Sequence, residues 1–441
     1  MRDGAQMAIK RSFKPFSVAL KGKGVSTLLR RVWSIGQRYG LTAAKMDRAL
    51  AQLSQILKQF NCRATLPVTA VALARNSGVI QKYQAQGIEF AIHGYRHVDY
   101  SQLALEEQFR HLRQAAQLFQ DHGIHFGGFR CPYLRWNELT LEALSQNGFN
   151  YDSSTSLFWD IGEEHATDAY RQVLGFYGAR PAVEHLALPH LDPASQLVRI
   201  PYCLPDDESL VERLRWRSLA EMNQVWPAMF RQIHESEELF VLGLHPERVG
   251  ACSDALVATL QQVRAAGPAV WCTRLSEIAD WWKARYAAVV NVAEIQDGVF
   301  QLTVQGSEST ALMLRGLDVR TEAEPWFNGY RRARGTACVV GASKRPFIGV
   351  SPGVDPALIS LLRQQGYVVE TSLKPQLYPF YLSDGSFRRQ DERRLIERIE
   401  GADWPLVRLG RWPNGARSAV AITGDIDALT LWDYGLRPLE G

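Results

Sequence analysis

The chain contains no apolar run of the roughly 18 residues that a membrane-spanning helix needs, which argues against such a segment. Its first residues, MRDGAQMAIKRSFKPFSVALKGKG, lack the apolar h-region of a secretory signal. The six cysteines (Cys62, Cys131, Cys203, Cys252, Cys272, Cys338) include no C-x-x-C pair. They read as reduced, buried thiols rather than a disulfide frame. There is no strong excess of one charge: the net charge is +4, which by itself argues for no nucleic-acid partner. Internal repeats and long low-complexity tracts are also missing. A cytoplasmic protein is the expectation.

What charge asymmetry there is lies at the start. Residues 1–46 carry Arg2, Lys10, Arg11, Lys14, Lys21, Lys23, Arg30, Arg31, Arg38 and Lys45 against a single acid, Asp3. Such an arm reads either as a solvated tail or as a peripheral contact to an anionic membrane.

The 441 residues, 46% apolar and 22% charged, suffice for a large core and for more than one domain. Apolar positions at helical spacing (Met46, Leu50, Leu53, Ile56, Leu57) predict a helix over 42–59, with Thr42 as a candidate cap. ATLPVTAVAL (64–73) reads as a buried strand, SGVIQKYQAQG as a short helix ending at Gly87, and IEFAIH as the next strand. LALEEQFRHLRQAAQLFQDHG is an amphipathic helix, and strand and helix patterns alternate on to LSEIADWWKARY. That alternation implies a mostly parallel sheet, closed into a barrel-like ring whose chemistry gathers at the C-terminal strand ends. Beyond about residue 287 the texture changes. GVFQLTVQGSESTALMLRGLDV reads as hairpin strands, and PFIGVSPGVDPALISLLRQQGYVVETS as strand, helix, strand. The expected division is a basic extension (1–41), a barrel (42–286), a small α+β unit (287–411) and a final strand (412–441).

Four short segments carry candidate chemistry. HGYRH places His93 and His97 four apart, so that on a helical turn both rings reach one ion at about 2.0–2.1 Å. Ten histidines in 441 residues give roughly 0.2 such pairs by chance, so ligation and packing both stay open. In RCPY, Arg130 sits beside a proline-fixed backbone that can aim a guanidinium into a cleft, and Pro132 can hold the Tyr133 N–H toward a substrate oxygen. A surface arginine in a tight turn is the other reading. LGLHP ends an apolar strand at His245, which suits a general acid or base or a satisfied, partly buried histidine. The strand SAVAIT ends in Gly424, Asp425, Ile426 and Asp427. The two carboxylates at i and i+2 share one strand face and need a cation if buried; an exposed turn is the alternative.

Taken together these segments resemble the polysaccharide deacetylase family, the NodB homology fold of carbohydrate esterases, with its aspartate-rich, H-x-x-x-H, R-x-P-Y and L-x-H motifs. NGFNYDSS, LVRIPYCLPDD and LSEIADWW are similar to family sequence as well. The resemblance covers about 42–285 and 412–441. It implies a distorted (β/α) barrel, circularly permuted because the aspartate motif comes last here, with 287–411 as an inserted small α+β domain. It further implies that His93, His97 and Asp427 bind one divalent metal, zinc or another first-row ion, and that Asp425 is the catalytic base. Arg130 would orient Asp425, the Tyr133 N–H would hold the oxyanion, and His245 would be the acid. The roles of Asp425 and Asp427 are exchangeable. The family's acid that steadies the arginine falls to Asp152 or Asp206. The implied substrate is an N-acetylated glycan or glycoconjugate, for which Tyr95, Tyr133, Trp136 and Trp159 are candidate stacking rings. Two alternatives stand beside this: hydrolysis of a non-sugar amide C–N bond, and an inactive carbohydrate-binding or scaffold protein.

Overall fold

A computed structural model describes residues 35–36, 38–383 and 387–436. The basic side chains from Arg2 to Arg31, and the membrane contact assigned to them, lie outside the described residues. Among the described residues no helix is long and apolar enough to cross a membrane.

The barrel strands are β1 (Ala64–Val68), β2 (Glu89–Ile92), β3 (Gly128–Phe129), β4 (Tyr151–Asp152), β5 (Ser156–Phe158), β6 (Arg180–Pro181), β7 (His190–Leu191), β8 (Val198–Arg199), β9 (Tyr202–Leu204), β10 (Leu239–Gly243), β11 (Val270–Cys272) and β12 (Ser418–Thr423). They form one 12-stranded sheet in the order β6-β5-β9-β10-β12-β1-β2-β3-β4-β8-β7, with β11 also on β12. Its strand pairs are parallel except β7 with β8. Strands of a parallel sheet covered on both faces are apolar throughout, and β1, β10 and β12 are buried at every position. Helices follow the strands, among them Leu105–Asp121, Val249–Ala266 and Leu275–Tyr286. The fold is a distorted, mostly parallel (β/α) barrel.

The latest strand in the sequence occupies the middle of the sheet. One edge of β12 pairs with β10 from Leu239↔Ala419 to Gly243↔Thr423. The other edge is composite: β11 covers 418–420 and β1 meets 422 and 423. At the joint between β11 and β1 the Sγ atoms of Cys62 and Cys272 are 2.8 Å apart. These two thiols are only partly buried, whereas Cys131, Cys203, Cys252 and Cys338 are buried, so the reading of all six as buried thiols is corrected for this pair. Past β12 the chain must squeeze by the end of β10. A Cβ on Gly424 would lie 1.8 Å from the Leu244 carbonyl oxygen, so only glycine fits there.

Residues 289–409 build three further sheets. Strands Val289–Gln296, Val299–Gln305 and Ala337–Gly341 pair antiparallel in sequence. Leu312–Arg315 belongs to a different sheet, beside Tyr330–Ala333 and Leu406–Leu409. The expected hairpin between 299–305 and 312–315 is therefore absent, and Val299–Gln305 turns back on Val289–Gln296 instead. The strand–helix–strand pattern at 347–371 stands as Ile348–Val350, Pro356–Gln364 and Val369–Thr371, the two strands parallel. A second apolar cluster forms here around Phe300, Leu302, Leu312, Phe347 and Val407. The unit is tied to the barrel by Gln364, which accepts from Leu191 N at 2.7 Å, and by Arg393, 2.8 Å from Glu238.

Two local readings change. Residues 64–73 are a strand to Val68 and a helix from Ala70 to Arg75, because a short apolar run does not distinguish the two. The first barrel helix starts at Ala44 with Ala43 at its cap and no side-chain cap bond, so Thr42 does not cap it.

Candidate metal centre

The four motifs converge at the C-terminal strand ends. His93 follows β2, and its buried ring is fixed by a 2.9 Å contact from Nδ1 to the Arg130 carbonyl. Since a carbonyl only accepts, Nδ1 is the donor of that contact and Nε2 is the nitrogen turned toward Asp427. Gly94 then takes φ +82°, and a Cβ there would meet the Arg96 carbonyl at 2.8 Å. This tight bend, rather than a helical turn, brings His97 back over His93, with ring centroids 5.3 Å apart. Asp427 Oδ1 lies 3.4 Å from His93 Nε2 and 3.2 Å from His97 Nε2. One ligand atom from each of the three residues falls within 4.8 Å of the others. Two imidazole nitrogens and a carboxylate oxygen fit zinc and related first-row ions, and three protein donors leave a position open.

Asp425 is held apart from Asp427 by its partner. Arg130 Nη1 donates to Asp425 Oδ1 at 2.9 Å and to Thr423 Oγ1 at 3.1 Å. Asp425 Oδ2 is 3.8 Å from His93 Nε2. Burial pushes the Asp425 carboxyl upward, but the charges of Arg130, His93 and His245 outweigh it and hold the group below its ordinary value. The guanidinium of Arg130 is fully buried. Its Nε donates to Ser153 O and its Nη2 to Ser153 Oγ, both at 3.0 Å, and the Tyr202 ring lies 4.6 Å below.

Neither acid proposed to steady Arg130 touches it. Asp152 binds Arg199 Nε at 2.8 Å and takes the hydroxyl of Ser154. Asp206 accepts from Ser209 N at 2.9 Å and from the Tyr202 hydroxyl at 3.1 Å. Ser153 does that work, because β4 ends one residue before it and delivers its carbonyl and hydroxyl together.

His245 follows β10. Asp207, fully buried, accepts from its backbone N–H at 3.1 Å and its Nδ1 at 2.8 Å. Burial pulls the imidazole pKa down, but Asp207 by charge and hydrogen bond, with Glu247 and Asp427, raises it well above the ordinary value. Asp207 stood unrecognised in LPDD next to Asp206. Its only sequence signal was an acid just past a strand that neighbours the histidine's own strand.

Tyr133 sits in left-handed backbone at φ 59°, an unfavourable place for a bulky residue that recurs at functional sites. Its ring is 41% exposed and meets His97 edge-on at 4.4 Å, so it forms part of the mouth of the site. Of the other candidate stacking rings, Trp159 is buried, and Trp136 is covered on one face by the Arg199 guanidinium at 3.9 Å.

A parallel barrel with a His–His–Asp cluster and a second, arginine-held aspartate at its strand ends is thus the architecture. Residues 43–151 match the Polysaccharide deacetylase family model. No sequence among curated proteins matches the chain. Solved structures that resemble it include a probable polysaccharide deacetylase from Pseudomonas aeruginosa PAO1, 24% identical over 53% of this chain and 72% of that one, with a TM-score of 0.42. Puue allantoinase is 21% identical over 54% and 72%, with a TM-score of 0.43. A family 4 carbohydrate esterase from Streptomyces lividans, in complex with acetate, is 15% identical over 50% and 83%, with a TM-score of 0.32.

Proposed function

We propose that this chain is a metal-dependent hydrolase that removes an acetyl group from an N-acetylated amino sugar in a glycan or glycoconjugate. The observation that carries the proposal is the meeting of His93, His97 and Asp427 within 4.8 Å, beside an aspartate bonded to a buried arginine at 2.9 Å. A divalent ion held by those three residues, zinc or another first-row metal, would acidify a water and polarise the amide carbonyl. Asp425 takes the proton of the attacking water, and Arg130 fixes the orientation of Asp425 and keeps it ionised. The Tyr133 N–H donates to the developing oxyanion, a type of contact whose loss costs about 10²–10³ in rate. His245, its Nδ1 committed to Asp207, delivers a proton from Nε2 to the departing amine. The products are acetate and a free amino sugar. In this reading the barrel is permuted, the aspartate strand entering the sheet from the far end of the sequence.

The test is acetate release from N-acetylhexosamine conjugates by wild type and by Asp425→Asn, beside a panel of non-sugar amides. Equal activity of the two proteins removes Asp425 as base, and cleavage of the non-sugar amides alone replaces the substrate class. Elemental analysis of wild type and His97→Ala reads the metal independently of turnover; a stoichiometric ion in the first and its loss in the second are expected.

A further inference from the structure

A polar cavity lies away from the His93–His97–Asp427 cluster, where the helices Pro356–Gln364 and Glu392–Glu400 cover the barrel beside β6, β7 and β8. Its volume is about 90 Å³, and its lining includes Trp136, Arg180, His190, Arg199, Arg389 and Glu392. Three guanidiniums therefore face one small space. Arg199 is built in: Nε donates to Asp152 and Nη2 to Thr155 Oγ1, each at 2.8 Å, and its plane stacks on Trp136. Among the described residues neither of the other two has a carboxylate within ion-pair distance, and Arg389 feels Glu392 and Asp192 only by their longer-range charge. Arg389 meets His190 Nε2, and burial together with the charge of Arg389 lowers the His190 pKa to about 4. That ring is neutral at pH 7 and supplies no countercharge. The Arg180 side chain makes no hydrogen bond or ion pair among the described residues.

The acids at the cavity are already engaged. Asp192 accepts from Ala194 N at 2.9 Å and Ser195 N at 2.8 Å. Glu392 accepts from Leu186 N at 3.1 Å and faces His185 Nδ1 at 3.5 Å. Like charges gathered this closely repel unless an anion joins them. Guanidinium forks match the oxygens of a tetrahedral anion. Two arginines without a close carboxylate also match the charge of a phosphate group, about −1.5 to −2 at pH 7.

We infer that the cavity between Arg180, Arg199 and Arg389 is a binding site for a phosphate group, either free or carried by a sugar. It is linked to the strand ends through side chains. Asp152, the partner of Arg199, takes the Ser154 hydroxyl, and Ser154 Oγ accepts from Cys131 N at 2.8 Å, next to Arg130. The site does not depend on the proposed hydrolysis, because binding is read without turnover.

The experiment is calorimetric titration of the full chain with inorganic phosphate, with Arg180→Gln, Arg389→Gln and the exposed Arg334→Gln compared to wild type. A charge-assisted hydrogen bond contributes enough that each cavity variant weakens phosphate binding by about tenfold or more, while Arg334→Gln leaves it unchanged. The Arg180 side chain makes no hydrogen bond or ion pair among the described residues, so its variant folds even if Arg389→Gln does not. Titration with N-acetylglucosamine 1-phosphate and with N-acetylglucosamine separates the sources. Tighter binding of the sugar phosphate than of phosphate assigns a substrate or product arm, and equal binding assigns a free anion. Wild type that ignores phosphate, or phosphate binding untouched by Arg180→Gln, overturns the inference.

Discussion

Asp207→Asn is the sharpest perturbation of the site. The substitution keeps volume and shape but replaces a fully buried carboxylate that holds His245 by two contacts, at 2.8 and 3.1 Å, and lies 3.2 Å from Arg248. Losing one charge-assisted bond costs about 1.5–3 kcal/mol, and breaking a buried ion pair about 3–5. Arg248 keeps Glu212 at 2.7 Å, so about 3 kcal/mol is the working figure. His245 then titrates lower, because the charge and hydrogen bond of Asp207 that raise it are lost. The sign follows from a raised folded pKa. The imidazolium contributes its full stability below its unfolded value of about 6.5 and loses it as pH rises through the folded value. Urea denaturation should therefore show the largest gap between wild type and Asp207→Asn near pH 6, narrowing toward alkaline pH. The alkaline limb of acetate release should move to lower pH. A gap under about 0.5 kcal/mol at pH 6, or one that widens with pH, refutes the pairing.

Gly424→Ala should unseat β12, since its methyl would overlap the Leu244 carbonyl; the check is loss of bound metal together with lowered thermal stability. Glu277, bonded to Arg274, Thr273 and Arg63, has its pKa lowered to about 2, Arg274 and Thr273 outweighing burial. Its stabilisation is present above about 4.5 and is lost as pH falls through about 2. Glu277→Gln should thus cost about 1 kcal/mol at pH 7 after allowance for solvent, and markedly less near pH 2.5. Cys62 and Cys272, already closer than a van der Waals contact but short of a bond of about 2.05 Å, should be the pair that diamide oxidises. The intact mass should drop by two hydrogens, with the hydrogens passing to diamide, and Cys62→Ser should abolish the change.

The local chemistry was more legible than the contacts. H-x-x-x-H, R-x-P-Y, L-x-H and D-x-D each state their spacing in a few residues, and the structure gathers all of them at one end of the sheet. Asp207 and Ser153 were not legible because their partners come from neighbouring strands, 38 residues away for Asp207 and 23 for Ser153. Two acids side by side in LPDD also carry no mark of which one turns toward His245. The same reason explains the false hairpin: alternation at 299–305 and 312–315 identifies strands, whereas pairing is decided by non-local edges. The arginine cavity is farther still from sequence reasoning, since its cations come from β6, β8 and the segment before the helix Glu392–Glu400.

The composite berth of β12 has a consequence for biosynthesis. A ribosome delivers β10, β11 and β1 long before residues 418–423, so the gap between them stays open while the intervening three sheets are made. Unpaired apolar strand edges of that kind invite wrong partners during the delay. Folding of the barrel centre is therefore a late, long-range event, and nascent chains halted before residue 418 should depend on chaperones in a way that finished ones do not.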